Sequence, residues 1–124
     1  AYIEQGISCY EEIQESGYVQ LTDLYNLAFL YEADGQLIEC RDFLERMYKE
    51  YPKEYEIALR LSSVYYQIEN NKAVSKRDYN QTAYYFDIAK QICKSNGMDW
   101  TSDSAMVQMN DIIERLREKG MVRE

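Results

Sequence analysis

The chain predicts an all-α fold of helical hairpins stacked side by side, and three observations predict it. Leu24, Leu27, Ala28 and Tyr31 fall on one helical face, and Leu37, Cys40, Leu44, Met47 and Tyr51 fall on a second. Asp34–Gly35 interrupts the pattern between the two faces, and Pro52 closes it, because a residue tolerant of positive φ ends one helix and a residue without an N–H cannot extend the other. The spacing then returns 34 residues later, with Ala58, Leu61, Ser62 and Tyr65 where Leu24, Leu27, Ala28 and Tyr31 stand. A hairpin of two amphipathic helices exposes apolar surface unless a copy covers it, so recurrence at this period means a stack.

Residues 1–20 read as the second helix of a partial hairpin, with Gly6, Tyr10 and Ile13 on its small, aromatic and apolar positions and Gly17–Tyr18 in the turn that follows. The partner first helix is missing, so the chain is expected to be a fragment of a longer protein. Residues 21–54 form the clearest hairpin, with helices over 22–32 and 36–50. Residues 55–96 form the next, and Tyr79, Thr82, Phe86 and Ala89 match its second helix once eight extra residues are admitted. Those extra residues lie within 70–78, NNKAVSKRD, polar and basic through Lys72, Lys76 and Arg77; two helices each longer by about a turn, with a projecting tip, accommodate them. Residues 101–124 supply a capping helix. Thr101, Ser102 or Asp103 starts it, Met106, Met109, Ile112, Ile113 and Leu116 face inward, Gln108, Asp111, Arg115 and Glu118 face out, and Lys119–Gly120 stops it.

Composition narrows the function. A chain of 124 residues is one domain, and one proline with five glycines suits nearly continuous helix. No apolar run is long enough to span a membrane, and the start does not resemble an export signal. The net charge of −8 is uneven, since residues 1–40 hold eight Asp or Glu and no Lys or Arg. Phosphate backbones and anionic lipids are repelled by such a surface, which favours a basic or apolar protein partner over nucleic acid. The thirteen tyrosines fall mostly on packing positions such as 10, 31, 65 and 79, which leaves few for stacking bases.

Cys9, Cys40 and Cys93 have no CxxC spacing, and the chain has no histidine, so neither a structural zinc site nor a Cys–His nucleophile is expected. Unpaired cysteines favour the cytoplasm, with an extracytoplasmic position the alternative for the tail of a membrane-anchored protein. No phosphate loop, nucleophile elbow or cofactor motif is present, so neither an enzyme nor a cofactor is expected.

The two hairpins and their flanking helices resemble the tetratricopeptide repeat family over nearly the whole chain, with Leu24, Ala28 and Met47 filling the signature Trp, Gly and Ala places of the better unit. The resemblance implies a right-handed α-α superhelix of about six antiparallel helices. By the same resemblance, its role is that of a protein-binding scaffold. The first helix of each unit in this family lines a concave groove, which places Thr22, Tyr25, Asn26, Phe29, Glu32 and Ala33 there from one unit and Glu56, Leu59, Arg60, Ser63, Tyr66 and Gln67 from the next. Of these, Tyr25, Asn26, Phe29, Glu32, Arg60, Ser63 and Tyr66 are the expected peptide contacts. Relatives that clamp a peptide carboxylate hold Lys, Arg and Asn where this chain has Tyr25, Phe29, Leu59 and Ser63, so that specificity is not expected.

The elongated second unit, with KRDYNQTAYYFDIAK, also looks like the helical-repeat tail that follows the kinase domain of some bacterial serine/threonine kinases. That likeness implies a docking or regulatory region of a larger bacterial protein. The alternative is a structural module that forms a homodimer through the open N-terminal end, around Ile3, Ile7 and Tyr10.

Overall fold

A computed structural model describes residues 2–15 and 20–123. Gly17 and Tyr18, expected in the first turn, lie outside the described residues, as do the side chains of Tyr10 and Ile13. The described residues are all-helical and contain no strand. Six α-helices follow one another: α1 (Tyr2–Glu15), α2 (Leu21–Ala33), α3 (Leu37–Glu50), α4 (Tyr55–Asn70), α5 (Asn80–Ser95) and α6 (Ser104–Glu118), with short 3-10 turns at Val74–Lys76 and Trp100–Ser102. Each helix packs on the one before and the one after it, and α4 also meets α6.

The helix ends follow their residues. Gly35 has φ +76°, and the bonds from its own N–H to the Glu32 carbonyl at 3.1 Å and from the Gln36 N–H to the Tyr31 carbonyl at 2.9 Å close α2 with two of its orphan carbonyls satisfied. Of the three candidates for the start of α6, Asp103 takes the role: its carboxylate accepts from the Ala105 N–H at 2.8 Å and the Met106 N–H at 3.3 Å. Gly120, at φ +70°, ends α6 as expected.

Both hairpins close at the same place. In the first, the Cys40 thiol donates to the Ala28 carbonyl at 3.3 Å; in the second, the Ser62 hydroxyl donates to the Thr82 carbonyl at 2.6 Å. Ser62 follows Ala28 by 34 residues and Thr82 follows Cys40 by 42, the period plus the eight-residue insertion. All four are buried, because small side chains here let the helix backbones approach closely. Thr82's own hydroxyl is buried without a hydrogen-bond partner among the described residues. A second contact also recurs at 34 residues: Tyr31 donates its hydroxyl to Glu11 at 2.5 Å, and Tyr65 donates its hydroxyl to Glu45. These links tie α1 to α2 and α3 to α4.

The insertion goes partly into helix and partly into a tied-down loop. α4 has 16 residues against 13 in α2, and α5 has 16 against 14 in α3. The rest is held against the end of α4. The Arg77 guanidinium donates to the Asn70 and Lys72 carbonyls, both at 3.0 Å, while the buried Glu69 carboxylate accepts from the Asp78 N–H at 2.8 Å and pairs with Lys72 at 2.7 Å.

Apolar burial divides into two clusters. One gathers α1 to α4 around Leu27, Phe43, Leu44 and Leu61, and the other gathers α4 to α6 around Phe86, Met106 and Ile113. Of the residues expected at the open end, Ile7 is buried in the first cluster at 6% exposure, and Ile3 is half-buried and packs against that cluster.

Ala28→Arg is expected to abolish the cooperative thermal transition, since a cation at a buried helix contact has no room and no counter-charge; an unchanged melting temperature would show that the hairpin contact is placed wrongly. Alkaline pH is expected to destabilise the fold. Burial and the bond to Glu11 push the Tyr31 hydroxyl up to about 12, and the bond to Asp103 at 2.6 Å, with burial, pushes Tyr55 up to about 12. Below the ordinary tyrosine value of about 10 both states keep these protons, whereas between about 10 and about 12 the unfolded chain releases protons that the folded chain retains, so stability falls as pH rises. Urea midpoints measured across that window should decline, and less steeply for Tyr31→Phe; a flat profile would contradict the buried tyrosine–carboxylate bonds.

Candidate functional site

α2 and α4 lie side by side and run in the same direction, joined by two contacts between residues 35 apart. The Arg60 guanidinium sits over the Tyr25 ring, 5.0 Å from its centroid, and reaches the Glu56 carboxylate at 3.6 Å. Two turns further along, the Gln67 amide donates to the Glu32 carboxylate at 2.9 Å and to the Ser63 hydroxyl at 3.4 Å. Burial, with Glu56 and Glu54 adding to it against Arg60, pushes the Tyr25 hydroxyl far above its ordinary range, so it stays protonated and offers a donor.

Glu32, Glu56, Arg60, Ser63 and Gln67 stand on one wall of a cleft of about 480 Å³ whose other wall is α6. From α2 and α4 come Glu32, Glu56, Leu59, Arg60, Ser63, Tyr66 and Gln67; from α6 come Ala105, Gln108, Met109 and Ile112. Leu59 and Met109 are buried and make the floor apolar, and Tyr66 is half-buried with its ring 5.6 Å from that of Tyr79. The cleft has the size and the mixture of apolar floor and few polar groups usual for a binding site.

The structure brings four of the expected contacts, Glu32, Arg60, Ser63 and Tyr66, together in the cleft. Tyr25 joins them through Arg60. Asn26 and Phe29 lie on the solvent side of α2 outside the cleft lining, and Phe29 is 59% exposed. The contribution of α6 has no counterpart in the sequence reading, which treats that helix as a polar cap. Met109 and Ile112 carry an inward apolar signal, but which neighbour receives it depends on how α6 lies against α4.

Cys40 and Cys93 are buried and Cys9 is exposed. Burial pushes the Cys40 thiol up to about 12, which makes it a poor nucleophile and a compact apolar filler. No helix among the described residues is long and apolar enough to cross a membrane.

Comparison with protein-family models, curated proteins and solved structures finds no match for this chain.

Phe29→Ala is expected to change unfolding free energy by no more than about 0.5 kcal/mol, as for other exposed positions. A loss of several kcal/mol in urea titration, the size typical of a core aromatic, would contradict its placement on the open face of α2.

Proposed function

We propose that this chain is a non-catalytic scaffold of the tetratricopeptide type that binds a protein or peptide in the cleft between α2, α4 and α6. The observation that carries this reading is the cleft itself. Half-buried polar side chains from α2 and α4 face an apolar floor shared with α6, and the contacts that fix them link secondary-structure elements, so the site is formed before a ligand arrives. The repeat reading draws support from the two contacts that recur with the sequence period, Ala28–Cys40 with Ser62–Thr82 and Glu11–Tyr31 with Glu45–Tyr65. By the resemblance to the tetratricopeptide family, such a stack is a right-handed superhelix with the first helix of each pair on its inner face. By its resemblance to kinase-associated tails, the segment serves as a docking or regulatory region of a larger bacterial protein. Self-association through Ile3 and Ile7 is the weaker account, because Ile7 is consumed by the fold of its own chain.

Selection from a displayed library of random linear peptides tests the reading. Enriched peptides are expected to shift the amide resonances of Ser63, Tyr66, Gln67 and Ile112, and to bind at least about tenfold more weakly to Tyr66→Ala, as for a central aromatic contact. Peptides that map to another face, or that bind the variant equally, would overturn the assignment of the cleft.

A further inference from the structure

We infer that the occupant of the cleft is a peptide segment that places a lysine or arginine beside an apolar side chain, with the cation at Glu32 and the apolar group between α4 and α6. The inference rests on the binding role proposed above and adds the chemistry of the partner.

The charges lining the cleft do not balance. Two carboxylates, Glu32 and Glu56, face one guanidinium, Arg60. Arg60 is occupied, ion-paired to Glu56 at 3.6 Å and seated over the Tyr25 ring. Glu32 is half-buried, and its contact is a neutral amide, Gln67; among the described residues no cationic side chain is ion-paired to it. A carboxylate in that state has lost part of its hydration without gaining a counter-charge, so an incoming ammonium or guanidinium is favoured there.

The apolar half of the motif follows from the floor and the α6 wall. Leu59, Met109 and Ile112 present hydrocarbon and a flexible thioether to a cavity of about 480 Å³, room for one or two side chains, and burying one there is favourable by the usual area term. The wider field has the same sign. The chain carries −8 overall, and residues 1–40, which include α2, have no Lys or Arg, so a basic segment is drawn toward this end during encounter. An acidic segment, by contrast, must displace Glu56 from Arg60 and then sit against Glu32.

Three fluorescein-labelled synthetic peptides of equal length, composed of Lys and Leu, Glu and Leu, or Lys and Ser, test this by fluorescence anisotropy together with amide resonance mapping. The Lys–Leu peptide is expected to bind at least about tenfold more tightly than either of the others, to weaken as salt is raised, and to shift Ser63, Gln67 and Ile112. Glu32→Gln should weaken it about tenfold, while Glu50→Gln, which removes the same charge from an exposed site on α3, should leave it unchanged. Equal losses in the two variants would overturn the assignment of Glu32 in favour of diffuse attraction. Tighter binding of the Glu–Leu peptide with the same resonances shifted would overturn the basic partner and preserve the cleft as a binding site. If none of the peptides moved cleft resonances, both the partner chemistry and the binding site would fall.

Discussion

Helix α4 is buried on two sides, and the rest of the structure depends on that constraint. Ile57, Leu61, Val64 and Ile68 pack into the cluster shared with α1, α2 and α3, while Ala58 and Leu59 pack into the cluster shared with α5 and α6. A helix wedged between two apolar clusters has little freedom to rotate about its axis, because turning it exposes side chains worth roughly 1.5–3 kcal/mol each when fully buried. The remaining face is the one that carries Arg60, Ser63, Tyr66 and Gln67. Core packing therefore aims the polar side chains of the cleft, and each is further held by a neighbour on another turn or another helix.

Much of this fold was legible in the residues. Gly35 and Pro52 mark the limits of α3 because backbone chemistry at helix ends is local: it acts within a turn and requires no knowledge of what packs above. Ala28 and Ser62 were legible as contact points because close helix approach demands small side chains wherever it occurs. The features that escaped are those decided between elements. Whether Gln108 and Ile112 face solvent or a cleft depends on the crossing of α6 with α4, and the sequence of α6 by itself is compatible with both. Ile7 looks available to a second copy when read alone, yet α2 and its own cluster consume it. The insertion was legible as polar and basic, but the two bonds that Arg77 makes to the end of α4 come from its reach back across five and seven residues.

Among the described residues the polar wiring follows one rule, and one buried side-chain atom departs from it. Buried or half-buried oxygens mostly meet a donor from a different turn or a different element: Glu69 takes a backbone amide and a lysine, Asp103 takes a tyrosine hydroxyl and two backbone amides, and Glu32 takes an amide side chain. The exception is the Thr82 hydroxyl, whose place in the hairpin is set by size. In the first hairpin a cysteine holds that place, and its thiol has an acceptor in the Ala28 carbonyl at 3.3 Å.

The glutamate–tyrosine link that joins α1 to α2 and again α3 to α4 has a consequence for how such a chain lengthens. Each link takes its carboxylate from one hairpin and its phenol from the next, and both residues sit inside a 34-residue period. A tandem copying of that stretch of gene would deliver a new hairpin already equipped with the acceptor for the unit after it and the donor for the unit before it. Growth by duplication would thus need no new joint to be evolved, and the spacing of neighbouring hairpins would be inherited with the copy.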